Sequence, residues 1–276
     1  MRFRKIYVEI SNLCNLNCAF CPGTHRAPGR MTPAAFATLI PKLRPYTEYL
    51  YFHLMGEPLC HPDLKEFLEK AKDFKVILTT NGTLLARQQE MILSAPNLHK
   101  VNISLHAFEA NDLAVPFEQY LADCFRFGQV AAGEKLVVYR LWNQGGLEEK
   151  NGEILRTMEQ YFPKPWAEKR QGTQIGDRVF LEYGEKFDCP DLNAEPTEET
   201  VFCYGLRDQL GVLWDGTVVP CCLDHEGDIP LGNLFAQSME EILESPRAKA
   251  IYDGFSWKEP VEELCRRCGY ASRFTK

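Results

Sequence analysis

Short apolar segments alternate with longer segments of helical periodicity through the first two-thirds of the chain. Strands are expected over residues 5–10, 49–54, 75–79, 100–105, 135–141 and 178–182. Helices are expected after Thr32-Pro33, an N-cap residue followed by proline at the first helical position, and over residues 64–71, 84–95, 117–132 and 154–162. This alternation predicts a parallel α/β sheet or barrel.

The predicted strands carry apolar residues on one face and polar residues on the other. Glu9 alternates with apolar neighbours on the first strand, as do His53 on the second and Ser104 on the fourth. Because branched apolar side chains fill the lumen of a closed eight-stranded barrel, polar lumen positions favour a wider, open barrel. We therefore expect an α/β fold with a partial barrel of six βα units. An ordinary sheet with one solvated face is the alternative.

The composition is that of a folded protein without a cationic face. The 276 residues are 45% hydrophobic, which is enough for a full core, and the formal net charge is −7. Nucleic-acid binding by counterion release needs clustered positive charge, so no nucleic-acid partner is expected. No apolar run approaches the roughly 20 residues that span a bilayer, and the N-terminus lacks a signal-peptide core. We expect a cytoplasmic protein with no membrane partner.

The composition changes near residue 191, where residues 193–199 are polar and contain Pro196. We expect a barrel domain over residues 1–190, a linker over 191–200 and a small Cys-rich α+β domain over 201–276. Within the small domain, the sequence predicts a β-hairpin over residues 210–220 and a helix near residues 238–244.

Seven of the eleven cysteines fall into two groups. Because the cytosol keeps thiols reduced, clustered cysteines in such a protein favour metal binding over disulfides. The first group is Cys14, Cys18 and Cys21, with the spacing Cys-x3-Cys-x2-Cys. Three thiolates hold three irons of a [4Fe–4S] cube and leave the fourth iron open to another ligand. A zinc site completed by His25 is the alternative, although zinc sites favour paired Cys-x2-Cys units.

The segment from Cys14 to Cys21 resembles the signature of radical S-adenosylmethionine (radical SAM) enzymes. The resemblance implies that the amine and carboxylate of SAM bind the open iron. It also implies that Phe20, the aromatic residue before the third cysteine, lies beside the adenine.

Three further segments resemble cofactor-binding elements of that family. The sequence Met-Gly-Glu-Pro at residues 55–58 resembles its Gly-Gly-Glu-Pro motif, with methionine in place of the first glycine. The resemblance assigns cofactor-binding roles to Gly56, Glu57, Pro58, Asn81 and Ser104. Taken alone, these segments would be turns and a buried serine. Their placement at the C-terminal ends of successive strands, where α/β barrels build active sites, favours a functional role.

The second cysteine group comprises Cys203, Cys221, Cys265 and Cys268. Its arrangement Cys-x12-Gly-x4-Cys, followed by Cys-x2-Cys, resembles the SPASM or twitch extension of radical SAM enzymes. The resemblance implies an auxiliary [4Fe–4S] cluster with four thiolate ligands. Because no cysteine follows Cys268, we expect the shorter twitch type with one auxiliary cluster. A structural zinc site is the alternative, and Cys222 is an alternative ligand to Cys221.

The remaining cysteines, Cys60, Cys124 and Cys189, have no metal-ligand spacing. Cys124 shares a predicted helix face with Phe117 and Leu121, and a free cysteine in such a place is usually a small core residue. None of the three is assigned to a cluster.

The resemblance implies that SAM is cleaved to a 5′-deoxyadenosyl radical, which abstracts a substrate hydrogen atom. Four polar residues expected to face the interior are candidates for catalysis: Arg140, His53, His106 and Glu182. Arg140 is expected to bind an anionic or hydroxylated substrate, or else to pair with Glu9 or Glu182. We expect an oxidoreductase that removes two electrons from a small molecule with help from the auxiliary cluster. Modification of a peptide or protein is the alternative, and a non-enzymatic metal scaffold is a third.

A small basic tail lies near the last two cysteines. It comprises Arg266, Arg267, Arg273 and Lys276. A tail of this kind is expected either to dock an acidic flavodoxin or ferredoxin as the electron donor or to be merely solvated.

Overall fold

The computed structural model describes residues 2–196 and 202–274. The strands are β1 (Lys5–Val8), β2 (Tyr49–Phe52), β3 (Lys75–Thr80), β4 (Leu98–Ser104), β5 (Leu136–Gln144), β6 (Ala167–Lys169), β7 (Gly172–Gly176), β8 (Val179–Glu185), β9 (Gln209–Val212), β10 (Thr217–Val219) and β11 (Gly232–Asn233). The helices are α1 (Pro33–Leu43), α2 (Leu64–Lys70), α3 (Leu85–Ser94), α4 (Phe117–Ala131), α5 (Asn151–Tyr161), α6 (Met239–Leu243), α7 (Pro246–Trp257) and α8 (Glu263–Arg266). The six strands predicted from the apolar pattern all form, with ends that differ by a few residues.

The chain divides into two compact units. Unit 1 contains Met1–Leu13, Pro22–Gly56 and Phe187–Lys276, and unit 2 contains Cys14–Cys21 and Glu57–Lys186. Part of the expected linker, residues 197–200, lies outside the described residues, and the expected domain limits remain a prediction. None of the described helices is long and apolar enough to cross a membrane.

Unit 1 is built on five strands in the order β11-β10-β9-β1-β2. Strand β1 runs parallel to β2 and to β9, with Ile6 opposite both Leu50 and Leu210. Strands β9 and β10 pair antiparallel, which confirms the hairpin predicted over residues 210–220. The pairing of β9 with β1 was not predicted, because the sequence carries no signal for which strand the hairpin joins.

Helix α1 of unit 1 follows the start signal read from the sequence. The Thr32 hydroxyl accepts a hydrogen bond from the Ala35 N–H (3.1 Å), and Pro33 occupies the first turn, where its missing N–H costs nothing. The helix buries Phe36, Leu39 and Leu43. Ser238 and Glu241 form a capping box at α6, at the helix expected near residue 238.

Unit 2 is a six-stranded sheet in the order β3-β4-β5-β8-β7-β6. Strands β3, β4, β5 and β8 are parallel, and β7 and β6 continue the sheet antiparallel. Helix α4 buries Phe125 against the ring of Tyr139 at an edge-on 5.2 Å, and the Tyr139 hydroxyl donates to the Cys124 carbonyl (2.9 Å). Cys124 is a fully buried core residue, as its predicted helix face indicated.

The sequence analysis missed β6, β7, β11, α7 and α8, and β6 and α7 illustrate two different reasons. Strand β6 lies at the edge of the sheet with all three residues exposed, so it has no apolar alternation to detect. Helix α7, in contrast, carries a readable signal, since Ser245 accepts from the Ala248 N–H and Pro246 occupies the first turn.

A buried ion pair in unit 1 gives Glu9 a different partner from the one considered in the sequence. Glu9, 1% exposed, binds the Arg26 guanidinium through both carboxylate oxygens (2.9 and 2.6 Å). It also accepts from the backbone N–H groups of Met55 and Trp214, each at 3.3 Å. Every oxygen of this desolvated carboxylate therefore has a donor, as burial of a charge requires.

Candidate active site

The loop Cys14–Cys21 of unit 2 carries three cysteines at or near the protein surface. Cys14 and Cys21 are exposed and Cys18 is half-buried. The Cys21 N–H donates to the Cys18 carbonyl (2.9 Å). This hydrogen bond closes a turn that brings Cys18 and Cys21 close together. Accessible thiols on a short loop suit a metal centre that must leave one position for an exogenous ligand.

Hydrogen-bond donors surround two of these sulfurs. The Leu16 N–H points at the Cys14 Sγ (3.4 Å), and the Asn81 Nδ2 lies 3.9 Å from it. The Asn111 Nδ2 lies 3.1 Å from the Cys18 Sγ. Such donors stabilise negative charge on sulfur, as a thiolate ligand requires.

Without a bound cation, these thiols resist ionisation. Burial raises the pKa of Cys14 to about 11; the Leu16 N–H opposes the rise, and negative charge on Glu57, Cys18 and Cys60 adds to it. Burial also raises the pKa of Cys18, against the effect of the Asn111 amide. Metal binding reverses this balance, because a cation stabilises the thiolates and releases their protons.

The segment after β2 is shaped by a glycine and a buried carboxylate. Gly56 has φ +77°, and a Cβ there would lie 2.4 Å from the Ser11 carbonyl oxygen, so only glycine fits. Glu57, 2% exposed, accepts from the backbone N–H groups of Asn81 (2.7 Å) and Leu59 (3.0 Å). Burial raises the pKa of Glu57 to about 7, although these donors oppose the rise. The Glu57 carboxylate thus braces the Asn81 loop.

The Asn81 loop is in turn bonded to the cysteine loop. The Asn81 amide donates to the Asn15 Oδ1 (3.0 Å), and the Asn15 amide donates to the Thr83 hydroxyl (2.8 Å). Of the other residues with expected cofactor roles, Pro58 is buried beside Glu57 and Ser104 ends β4, half-buried. Unit 2 thus brings together Cys14, Glu57 and Asn81, which are far apart in sequence.

The second cysteine group lines one cavity in unit 1. Its walls include the four expected ligands, Cys203, Cys221, Cys265 and Cys268, together with apolar side chains such as Phe255 and Leu264. Cys222 packs instead against a cluster that contains Tyr7 and Leu54. The structure therefore favours Cys221 over Cys222 as the member of this group.

Burial raises the pKa of all four cavity thiols, to about 11 for Cys203. Their ionised forms would also repel one another: negative charge on Cys203, Cys265 and Cys268 raises the pKa of Cys221 further. Four thiols in an apolar cavity fit a cluster with a complete set of thiolate ligands.

Among residues 2–196 and 202–274, no three His, Cys, Asp or Glu side chains converge closely enough to chelate a single metal ion. In an iron–sulfur cube each thiolate binds a different iron, so the sulfurs stand further apart than they do around one zinc ion. The thiols of both groups fit such clusters, and the Asp224 carboxyl that also lines the cavity is already bonded to the Asp228 and Ile229 N–H groups.

A set of polar and aromatic side chains in unit 2 leads away from the cysteine loop. The ring of Phe20, 42% exposed, lies 5.0 Å from the ring of His106. The His106 Nδ1 lies 3.1 Å from the Arg140 carbonyl oxygen. The Arg140 guanidinium pairs with Glu182 (3.2 Å) and stacks over the Trp142 ring at 4.3 Å. Three of the four predicted catalytic residues, His106, Arg140 and Glu182, are thus in one group.

The fourth predicted catalytic residue, His53, lies in unit 1, where its ring is 6.3 Å from that of Tyr7. His25, the alternative zinc ligand, donates its backbone N–H to Glu226 (3.0 Å). Cys60, which had no ligand spacing, lies near Cys14, and its thiol is 3.6 Å from the Asn15 Oδ1. The roles of Asn15 and Asn111 were not predicted. Each contacts residues far away in the sequence, and no motif or regular spacing marks such contacts.

Comparison with known proteins identifies both cysteine regions. Residues 8–122 match the radical SAM superfamily, and residues 203–269 match SPASM, an iron–sulfur cluster-binding domain. The first match contains the Cys14–Cys21 loop and the second contains all four cavity cysteines.

Three known proteins illustrate the similarity. The chain is 29% identical to the S-adenosyl-L-methionine-dependent 2-deoxy-scyllo-inosamine dehydrogenase of Niallia circulans, over 98% of this chain and 94% of that protein. It is 30% identical to a probable GTP 3′,8-cyclase of Methanococcus aeolicus, over 80% and 85% of the two chains. The crystal structure of BtrN with AdoMet and 2-DOIA superposes with a TM-score of 0.63 at 19% identity, covering 97% and 93%.

The fold is accordingly that of the radical SAM enzymes, an α/β fold with a C-terminal SPASM domain. The chain belongs to the radical SAM superfamily and is an enzyme that binds a [4Fe–4S] cluster and SAM, with an auxiliary iron–sulfur cluster in its SPASM domain.

Proposed function

We propose that this enzyme oxidises a hydroxyl group of a small molecule to a carbonyl group by removing two electrons. The observation that carries the proposal is the continuous group Phe20, His106, Arg140 and Glu182, which joins the cysteine loop to groups able to bind a hydroxyl and take its proton. The full-length similarity to a dehydrogenase that acts on 2-deoxy-scyllo-inosamine supports the same substrate class.

Each cofactor has a set of residues suited to hold it. Cys14, Cys18 and Cys21 would hold the cluster that binds SAM, and Cys203, Cys221, Cys265 and Cys268 would hold the auxiliary cluster. Phe20, Asn81 and Ser104, all in unit 2, would contact SAM. When bound, SAM and its cluster supply the radical that takes a hydrogen atom from carbon, and the auxiliary cluster supplies an acceptor for one electron.

Oxidation of an alcohol to a ketone also releases one proton from oxygen, and His106 is suited to accept it. The ring is 8% exposed, and burial lowers its pKa, so the imidazole is neutral near pH 7. We assign the proton to Nδ1, which then donates to the Arg140 carbonyl at 3.1 Å; the Trp142 N–H is more distant, at 3.4 Å. Nε2 then carries the lone pair that accepts the proton.

Arg140 and Glu182 would bind and orient the substrate. The Arg140 side chain is 14% exposed, and its Nε donates to the Glu182 carboxylate. The rigid fork of guanidinium donors binds hydroxyl and anionic groups with defined geometry. The Trp142 ring fixes the guanidinium plane by stacking, and Gly184 leaves room for that ring, since a Cβ there would lie 2.8 Å from it.

A nucleoside triphosphate is a less suitable substrate for this group. Its phosphates carry several negative charges, whereas the Arg140 charge is already paired with Glu182. GTP and peptides are nonetheless informative probes, because one relative acts on GTP and peptide modification was the alternative prediction.

The test is to follow deuterium from substrate to 5′-deoxyadenosine. Reconstituted enzyme, SAM and dithionite are incubated with aminocyclitols deuterated at the carbinol carbons, with GTP deuterated on its ribose carbons, or with peptides deuterated on carbon. We expect 5′-deoxyadenosine that carries one deuterium from an aminocyclitol, together with an equal amount of a ketone that a hydrazine can trap. Deuterium transfer from GTP or peptide alone would contradict the proposal.

We further propose that a flavodoxin or ferredoxin delivers the electron. The proposal rests on the basic tail, in which Arg266 and Arg267 both pair with Glu263 (3.0 and 3.4 Å) and Arg273 stacks over Tyr270 at 4.8 Å. Lys276 lies outside the described residues. Reduced flavodoxin should sustain turnover more weakly at high salt than at low salt, and turnover that is insensitive to salt would contradict docking by these charges.

A further inference from the structure

Asn111, a residue with no predicted role, uses both ends of its side-chain amide on the cysteine loop. Its Oδ1 accepts a hydrogen bond from the Asn17 N–H (3.0 Å). Its Nδ2 donates to the Cys18 Sγ (3.1 Å) and to the Ala107 carbonyl (2.6 Å). The reverse orientation of the amide would set an NH2 group against the Asn17 N–H, so the backbone fixes which atom faces the sulfur.

The backbone around Asn111 holds the other side of Cys18. The Ala19 N–H donates to the Ala110 carbonyl (3.1 Å). Of the two residues that flank Cys18, Asn17 is therefore bonded to Asn111 and Ala19 to Ala110. The Asn111 N–H in turn donates to the Phe108 carbonyl (3.1 Å). This double attachment sets where the Cys18 sulfur lies.

The segment that carries Asn111 is anchored in unit 2. The Phe108 ring packs against Phe117 and Tyr120, with ring centroids 4.6 and 5.0 Å apart. The Tyr120 hydroxyl donates to the Asn81 carbonyl (2.8 Å), in the loop bonded to Asn15. The Asn111 amide therefore approaches Cys18 from a fixed support.

A fixed N–H donor at a ligand sulfur has a consequence for electron transfer. An iron–sulfur cluster gains negative charge on reduction, and hydrogen bonds to its sulfurs stabilise that charge and raise the reduction potential. A donor 3.1 Å from a sulfur is close enough to act in this way.

We propose that Asn111 is a positioning residue that fixes Cys18 and, through its N–H···S hydrogen bond, raises the reduction potential of the SAM-binding cluster. This role depends on Cys18 as a cluster ligand and is independent of which substrate the enzyme oxidises. A failure of the substrate proposal therefore leaves it intact.

The test compares two variants and one control in the full-length holoenzyme. Asn111→Leu removes both ends of the amide at similar volume. Asn111→Asp keeps the acceptor for the Asn17 N–H and removes the donor to sulfur. Asn97→Leu is the control, because the Asn97 amide also makes two hydrogen bonds, to the Leu68 and Ala71 carbonyls (both 2.9 Å).

The readout is a potentiometric titration followed by electron paramagnetic resonance, using the signal component that changes when SAM is added. We expect a more negative midpoint in Asn111→Leu than in the wild type, a still more negative one in Asn111→Asp because of its charge, and an unchanged one in Asn97→Leu. A wild-type midpoint in iron-loaded Asn111→Leu would overturn the proposal. Should that variant bind iron poorly, Asn111→Asp decides, and its midpoint must fall below the wild type.

Discussion

The two cysteine regions differ in accessibility and in the number of sulfurs they offer. In unit 2, three cysteines lie on a short loop, two of them exposed, with asparagine amides near the sulfurs. In unit 1, four cysteines line a cavity whose other walls include Phe255 and Leu264. The first region can accept a ligand from solution, whereas the second has a full set of sulfurs and a mainly apolar lining.

This difference shows how one protein places two similar clusters in different roles. A cluster with an open iron can do chemistry on an added ligand, and a fully ligated cluster is suited to electron transfer or structural support. Burial raises the pKa of all four cavity thiols, so they stay protonated until a bound metal stabilises the thiolate form. Loss of the loop cysteines should therefore stop SAM cleavage, whereas loss of the cavity cysteines should stop substrate oxidation alone.

Removal of two cavity ligands should have the largest effect. Cys265→Ser/Cys268→Ser should abolish substrate oxidation and lower the iron content from about eight to about four atoms per chain. Release of 5′-deoxyadenosine should persist, because the Cys14–Cys21 loop is unchanged. The measurement is iron analysis together with chromatography of both products. Cys189→Ser is the matched control and should keep full iron; loss of 5′-deoxyadenosine release in the cavity variant would contradict the separation of roles.

Substitution of His106 should have the next largest effect. Loss of a general base slows a reaction by about 10²–10⁴-fold, and His106→Asn should slow substrate oxidation within that range. Because burial lowers the pKa of His106, the base form persists below the ordinary histidine pKa of about 6.5, so the wild-type rate should fall only under that pH. The measurement is kcat/KM between pH 5 and 8.

The acid limb of that pH profile should disappear in His106→Asn. His99→Asn, a change on the same strand β4, is the matched control and should keep both the limb and the rate. An unchanged limb in His106→Asn would assign the proton to another group.

Replacement of Arg140 should have a moderate effect on substrate binding. Arg140→Lys keeps the positive charge and removes the planar fork, so KM should rise about tenfold, which corresponds to about 1.4 kcal/mol. Release of 5′-deoxyadenosine in the absence of substrate should not change. The measurement is steady-state kinetics with the substrate identified by deuterium transfer, and an unchanged KM would exclude Arg140 from the substrate site.

The smallest expected effect concerns a tether inside unit 1. The Lys42 ammonium donates to the carbonyls of Leu234 and Gln237, the latter at 2.8 Å. Lys42→Met should destabilise the protein by about 2 kcal/mol, or roughly 5 °C in the melting temperature, without slowing SAM cleavage. Lys249→Met, which removes only an exposed pair with Glu244, should change stability by less than about 0.5 kcal/mol. Equal melting temperatures for the two variants would contradict the tether.

Much of this architecture could be predicted from local sequence signals. The apolar alternation located the six strands, Thr32-Pro33 marked the start of α1, and the cysteine spacings marked both regions. These signals are local, because strand and helix periodicity and ligand spacing are properties of neighbouring residues.

What could not be predicted depends on contacts between distant segments. Glu9 binds Arg26, which no pattern indicated, and β9 pairs with β1 across some 200 residues of chain. Asn111 reaches Cys18 across 93 positions. Glu, Arg and Asn occur mostly at solvated positions, so their residue type does not reveal the buried contacts that the fold gives them.

The most direct test of the account is to count iron and sulfide after anaerobic reconstitution of the wild type and of Cys14→Ala/Cys18→Ala/Cys21→Ala. If the loop holds one cube and the cavity another, the wild type should contain about eight iron atoms and the variant about four, and only the wild type should release 5′-deoxyadenosine from SAM. Equal iron contents, or release of 5′-deoxyadenosine by the variant, would show that these three thiols do not hold the cluster at which SAM is cleaved.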